Sequence, residues 1–150
     1  SLSRASKFLI NARGNALIEL GMYEKALKLF ETYLEAVEKE SVEGNLAEMS
    51  VSHSNIGECY LRLGKPEEAE KHLKQGLELA EKGRHIKCQV FAYQYFLELA
   101  ASQGRQEEAR EYFGKGLKAS WYAWGRDKDP ERRVASMKRT VNHYGIALAA

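Results

Sequence analysis

A pattern that occurs three times around a glycine constrains the fold of this chain more than any other feature of its sequence. Gly21, Gly64 and Gly104 are each followed, at offsets of 5, 9 and 13 residues, by an alanine and then by two large apolar residues. Apolar residues three and four positions apart flank each glycine, which predicts an amphipathic helix before it and another after it. Because glycine readily takes the left-handed conformation that ends a helix, the pattern predicts three helical hairpins.

Small residues recur at fixed positions in these hairpins. Alanine follows each turn glycine at positions 26, 69 and 109, and glycine precedes the first two turns at positions 14 and 57. A larger side chain there would hold two crossing helices apart. We therefore expect close helix packing at these positions.

The predicted fold is an all-α solenoid forming one domain over residues 1–150. No segment alternates apolar and polar residues for long enough to predict a strand. Three hairpin units, over about 2–40, 45–82 and 86–122, precede a seventh helix. The predicted helices span residues 2–20, 23–40, 45–63, 66–82, 86–103, 106–122 and 130–149.

The seventh helix is interpreted as the first helix of an incomplete fourth unit. Asp129 can cap its start, and Pro130 suits its first position. Aligning Gly145 with Gly57 carries the helix to residue 149, just before a fourth turn would begin. Four apolar residues then lie too widely around the helix for one neighbour to cover all of them: Val141, Tyr144, Ile146 and Leu148. We therefore expect either that the chain is a fragment of a longer array or that this helix associates with a second copy.

The composition is that of an ordinary globular domain and leaves the partner open. The chain is 44% hydrophobic and 29% charged, and its longest purely apolar stretch, residues 146–150, is far too short to cross a membrane. The formal net charge of +2 predicts neither a nucleic-acid-binding protein nor an enzyme for acidic substrates. Two cysteines are too few for a disulfide framework, and no secretory leader opens the chain, so we expect a cytoplasmic location.

No set of residues has the spacing of a catalytic or metal site. His85 and Cys88 form a local pair of metal-binding residues, but no second pair completes a set of four ligands. Cys59 lies within a repeat and is interpreted as a small packed residue. The sequence has no nucleophile elbow, phosphate-binding glycine loop or HExxH helix. We predict a protein that is not an enzyme and that has neither metal nor cofactor.

Residues 121–133 concentrate aromatic and basic side chains before the last helix. Such side chains can stack on single-stranded nucleic acid and neutralise it. The local excess of positive charge is too small to form an extended basic stripe, so nucleic-acid binding is the weaker alternative. We expect Trp121 and Tyr122 to cover the end of the third hairpin and to seat the last helix.

Residues 54–73, SNIGECYLRLGKPEEAEKHL, resemble the tetratricopeptide repeat, in which a small residue and an aromatic precede the turn glycine and an alanine and a large apolar residue follow it. The resemblance covers residues 8–38, 51–81 and 91–121. Leu97 and Ala100 depart from it in the third unit. The spacings of 43 and 40 residues between glycines exceed the family's usual period, as in kinesin light chain, Pins-type scaffolds and bacterial regulators with tetratricopeptide sensor domains. Long hairpins are therefore implied.

This resemblance implies a concave groove lined by the first helices. Members that hold a partner's C-terminal carboxylate use two asparagines and three basic residues there. Asn15 and Asn55 match the asparagines, but Asn11, Phe91 and Tyr95 occupy the basic positions, so carboxylate capture is not implied. The candidate groove residues are Asn11, Asn15, Asn55, Glu58, Arg62, Phe91, Gln94, Tyr95, Glu98 and Asn142. Further positions on the same faces are Phe8, Ala12, Glu19, Val51, Ser54, Ser102, Arg139, His143 and Ile146.

The resemblance favours a scaffold whose groove binds an extended peptide or a helix of a partner protein. An asparagine amide both donates and accepts hydrogen bonds, which suits an extended backbone irrespective of its terminus. The alternative is a ligand- or peptide-responsive regulatory module of a larger signalling or transcription protein. Both functions use the same groove.

Overall fold

The computed structural model of the chain describes residues 2–40, 45–124 and 129–148, and over these residues it is helical with no strand. The helices are α1 (Arg4–Glu19), α2 (Tyr23–Glu38), α3 (Leu46–Arg62), α4 (Pro66–Lys82), α5 (Ile86–Ser102), α6 (Gln106–Trp124) and α7 (Asp129–His143). The all-α prediction is confirmed, and α1 to α6 begin and end within two residues of their predicted bounds. None of the helices in the described ranges is both long and apolar enough to span a membrane.

Each of the three hairpins turns at the glycine that the sequence marks. Gly21, Gly64 and Gly104 have φ angles of 73°, 71° and 72°, where a side chain would be strained. The amide after each glycine donates to a carbonyl five residues earlier, as Lys65 N–H does to the Tyr60 carbonyl with an N···O distance of 2.9 Å. This hydrogen bond closes the end of the first helix and directs the chain into the second.

The small residues lie where two helices approach closely, as predicted. Ala26, Ala69 and Ala109 are fully buried. A Cβ atom added at Gly57 would lie 2.7 Å from Leu73 Cδ2, which is closer than carbon atoms pack. The packing inside each hairpin therefore depends on the absence of side-chain volume at these positions.

Consecutive hairpins share apolar layers. Phe30 and Leu34 of α2 cluster with Ile56 of α3, and Leu73 of α4 clusters with Phe96 of α5. The second helix of one unit thus lies against the first helix of the next. A solenoid buries a continuous core in this way, because each unit covers the face that its neighbour leaves open.

The end of the chain corrects the predicted seventh helix. α7 ends at His143 rather than at residue 149. Gly145 has a φ angle of 65°, and Ile146 N–H donates to the Val141 carbonyl with an N···O distance of 2.9 Å. This is the hydrogen bond that closes the earlier turns. Gly145 therefore corresponds to the turn glycines, and its alignment with Gly57 was wrong.

This turn bears on the four apolar residues that one neighbour was not expected to cover together. Val141 and Ile146 are 2% and 6% exposed and join the core cluster of α5 and α6. Tyr144 and Leu148 keep 38% and 45% exposure. The third hairpin therefore covers two of the four residues and not all of them, because the chain reverses at Gly145 and returns Ile146 to that hairpin.

The aromatic residues near the end of α6 also differ from the prediction. Trp121 is 50% exposed and Tyr122 is 82% exposed. They do not cover the third hairpin as expected, because α6 continues to Trp124 and carries them on its solvent side. The Trp124 side chain and residues 125–128 lie outside the described part of the chain.

Candidate functional site

A cavity of about 380 Å³ lies on the face formed by the first helices, α1, α3 and α5, together with α7. Six of the ten candidate groove residues line it: Asn11, Asn15, Asn55, Glu58, Phe91 and Tyr95. Ile18, Glu19, Val51 and Ser54 complete the wall from α1 and α3. The first helices therefore bring together residues that lie about forty positions apart in the chain, as expected for a repeat array.

The amide groups in this cavity are available to a ligand. Asn15 is exposed and Asn55 is half-buried, and neither side chain is hydrogen-bonded to another residue in the described ranges. The Asn11 Oδ1 atom is buried without a hydrogen-bond partner among those residues. A buried polar atom without a partner is costly, so a ligand that donated to it would gain binding energy.

Arg62 of α3 pairs beside the cavity with two carboxylates, Glu98 of α5 and Glu58 of its own helix. Its guanidinium forms a two-pronged pair with Glu98, in which Nη1 contacts Oε1 and Nη2 lies 3.2 Å from Oε2. Nη2 also lies 3.7 Å from Glu58 Oε2. All three are candidate groove residues of the sequence. The structure brings them together as one ion-paired cluster, of which only Glu58 lines the cavity.

Burial is the largest single influence on the pKa of each polar group around this cluster. It raises the pKa of Glu58, against the opposing effects of the Tyr95 hydroxyl and Arg62. Burial also raises the pKa of Tyr95 well above its usual value, and the nearby Glu58 carboxylate acts in the same direction. For Arg62, burial lowers the pKa, but hydrogen bonding and the charges of Glu98 and Glu58 outweigh it and raise the pKa overall. Tyr95 is therefore a protonated donor at neutral pH.

Arg133 is a cavity residue that the sequence analysis missed. Its guanidinium lies 4.4 Å from the centroid of the Phe91 ring, a cation–π arrangement that places a positive charge in the cavity. The alignment of Gly145 with Gly57 placed other residues of α7 on the groove. Gly145 lies 41 residues after Gly104, and aligning these two glycines puts Arg132, not Arg133, at the position of Phe91, so the repeat pattern points to the right turn of α7 without selecting Arg133.

Two candidate residues on α5 and α7 lie outside the cavity. Gln94 Nε2 donates to Ser136 Oγ at 3.2 Å and so ties α5 to α7. Asn142 is exposed in the last turn of α7. The structure therefore does not bring Gln94 or Asn142 to the cavity wall.

The histidines and cysteines form no metal-binding cluster of three or more groups within the described residues. Cys59 is fully buried, and burial raises its pKa to about 12, so its thiol is not ionised at neutral pH. His53 Nδ1 lies 3.1 Å from His72 Nδ1, a contact between α3 and α4 that the sequence analysis did not predict. Burial, with the nearby His72, lowers the pKa of His53 to about 4.

Comparison with known proteins places the chain in a family. The sequence model for the tetratricopeptide repeat matches residues 5–82, and the chain belongs to the tetratricopeptide repeat family. It is also similar to Response regulator aspartate phosphatase I of Bacillus subtilis (strain 168), with 35% identity over 102 residues. The matched region is 67% of this chain but 25% of that protein, so the chain spans about a quarter of the length of its relative. The predicted family is confirmed, and with it the general character of a protein-interaction scaffold.

Proposed function

We propose that the concave cavity binds an extended peptide segment of a partner protein. The observation that carries this proposal is the lining itself. Asn11, Asn15 and Asn55 present amide groups, and Phe91 and Tyr95 present aromatic rings, all within one cavity of about 380 Å³. A few fixed polar groups among apolar walls are typical of sites that orient a ligand.

The two kinds of side chain have different tasks in this proposal. Asn15 and Asn55 have amide groups on different hairpins, so they can pair with successive peptide groups of an extended backbone. Phe91, Tyr95 and Val51 offer apolar surface for the side chains of the peptide. Backbone pairing supplies general affinity, and the apolar contacts select the sequence.

We also propose that the cavity binds without catalysing a reaction. Ser54 is the one serine on the described cavity wall. Its Oγ has no hydrogen-bond partner among the described residues, so no base activates this hydroxyl as a nucleophile. The Cys59 thiol is buried and protonated. The Glu58 carboxylate is ion-paired with Arg62. The name of the relative describes a phosphatase, but the matched region is only a quarter of that protein.

The second candidate is a regulatory module of a larger signalling protein, in which the peptide acts as an effector. The relative is named for response regulators, which favours this candidate. The cavity wall includes residues of α1 and of α7, at opposite ends of the array. A ligand that touched both ends would stabilise one curvature of the solenoid over others, and that bias could be transmitted to an adjoining domain.

The test of peptide binding uses a ligand selected from a peptide library on the intact chain. Replacing Asn15 and Asn55 together by alanine should weaken the selected peptide by more than about 2 kcal/mol, measured by calorimetry, because both backbone contacts are lost. Lys71→Ala on exposed α4 is the matched control and should leave the affinity unchanged. Equal affinities for wild type and the double variant, with unchanged circular dichroism, would place the binding site elsewhere.

Catalysis is tested separately with a response regulator phosphorylated on its aspartate. The chain should not accelerate release of inorganic phosphate above the spontaneous rate. Acceleration that grows with the concentration of the chain would show that it is an enzyme.

A further inference from the structure

A second groove lies between α1 and α2, away from the concave cavity. It has a volume of about 310 Å³ and is lined by Arg13, Leu17, Lys25, Lys28, Leu29 and Thr32. We call it the leading groove. Leu17 and Leu29 are half-buried and form its floor, whereas the three basic side chains are exposed. It shares no lining residue with the concave cavity.

The wall that the first helix contributes to this groove is covered in the next two units. Counted from the turn glycine, Arg13 occupies the position of Ile56 in the second unit and of Phe96 in the third. Ile56 is 1% exposed and clusters with Phe30 of the preceding helix α2. Phe96 is 3% exposed and clusters with Leu73 of the preceding helix α4. An amphipathic helix of the preceding unit therefore covers this position wherever the described chain supplies one.

The charges of the leading groove differ from those of its counterparts. Lys25 takes the position that Glu68 and Glu108 hold in the second and third units. None of Arg13, Lys25 and Lys28 lies within ion-pairing distance of a carboxylate in the described ranges. No acidic residue lines the groove. Three cations therefore surround an apolar floor with no internal countercharge.

We propose that the leading groove is a docking site for an acidic amphipathic helix of a partner protein. The floor of Leu17 and Leu29 takes the apolar stripe of that helix, and Arg13, Lys25 and Lys28 pair with carboxylates along its edges. A separate partner fits better than a permanent repeat interface, because Arg13 replaces the apolar residue that the inner units bury. The three cations also keep the groove hydrated when it is empty.

The test uses a displayed library of helical peptides whose apolar stripe is randomised and whose flanking positions are either all glutamate or all lysine. Selection on the intact chain should enrich peptides with glutamate flanks. Lys25→Glu with Lys28→Glu should weaken the selected peptide by about tenfold or more in fluorescence anisotropy, and added salt should weaken its binding to the wild type. Lys71→Glu with Lys82→Glu makes the same change of charge on exposed α4 and should have little effect. Asn55→Ala, in the concave cavity, should also leave this affinity unchanged.

Three results would overturn the proposal. The first is a selection that yields no peptide with glutamate flanks, or one whose binding ignores the charge reversal at Lys25 and Lys28. The second is a dimer of the wild-type chain in sedimentation that the same reversal dissociates, since a second copy would then fill the groove. The third is a full-length gene product that fails to bind the peptide until it is cut to residues 1–150, because a neighbouring segment would then be the occupant.

Discussion

His53 and Asn55 lie two residues apart on α3, yet His53 is buried against another helix and Asn55 faces the concave cavity. His53 is 7% exposed, and its ring is stacked on that of His72, with 3.1 Å between the Nδ1 atoms. Asn55 is half-buried, and its amide reaches the cavity without a hydrogen-bond partner among the described residues. The lesson is that polarity alone does not mark a binding residue. His53 has a partner side chain within the fold, whereas Asn55 has none among the described residues.

This contrast divides α3 into a closed side and an open side. The closed side includes His53, which faces His72, and Gly57, which allows the approach of Leu73. The open side includes Asn55. We expect changes on the closed side to alter stability and changes on the open side to alter binding.

The largest expected effect is a loss of stability in acid from the closed side. The pKa of His53 is lowered to about 4 in the folded protein, because burial and then His72 disfavour its charged form. Stability that depends on neutral His53 is therefore complete above pH 6.5 and is lost as the pH falls toward 4, by about 2 to 3 kcal/mol. Denaturant unfolding across this range should show the loss. His53→Leu should show a smaller loss, and a His53 imidazole that titrates near 6.5 by NMR would contradict the closed arrangement.

Overpacking should give the next largest effect. Ala69 is fully buried at the crossing of α3 and α4, so Ala69→Leu should destabilise the domain by roughly 1 to 3 kcal/mol. Ala135→Leu makes the same change on an exposed face of α7 and should be nearly neutral. Equal denaturant midpoints for Ala69→Leu and the wild type would show that the crossing of α3 and α4 has room for a larger side chain.

Arg62 lies at the boundary between the two sides and should have an intermediate effect. Arg62→Gln removes the cation between Glu58 and Glu98 and should cost about 1 to 2 kcal/mol, because two partly buried carboxylates lose their partner. Adding Glu58→Gln should recover part of this loss. A double-mutant cycle that gave no coupling energy would mean that the cluster contributes nothing to stability.

The smallest expected effect on stability is on the open side. Asn55→Ala should change the free energy of unfolding by less than about 0.5 kcal/mol, since no described residue loses a hydrogen bond. Thermal unfolding followed by circular dichroism measures this change. A loss above about 1 kcal/mol would mean that Asn55 has a structural partner and belongs to the closed side.

Much of the fold could be predicted because its signals are local. The turn glycines, the buried alanines and the spacing of apolar residues fixed six helices and the face on which Asn15, Asn55 and Tyr95 lie. The error at Gly145 arose because Gly57 and Gly64 are both glycines of the repeat. A seven-residue difference in alignment leaves the apolar periodicity of a helix almost unchanged. That error placed Asn142 on the groove, whereas Asn142 does not line the cavity.

The contacts between units could not be predicted in the same way. Arg62 and Glu98 are separated by 36 residues, and Gln94 and Ser136 by 42. Whether such residues meet depends on the curvature of the array, which the packing between hairpins sets and the sequence within one hairpin does not. The pairing of His53 with His72 depends likewise on how α3 and α4 cross.

The sequence by itself therefore determined the class of fold, the hairpin turns and the faces of the first helices, because each follows from the φ angle of a glycine or from apolar residues three and four positions apart. The tertiary structure alone decided which polar groups find partners. It brought His53 into contact with His72, paired Arg62 with two carboxylates and placed Arg133 over the Phe91 ring. These contacts depend on the distance and angle between helices, which are properties of packed volumes rather than of any local pattern.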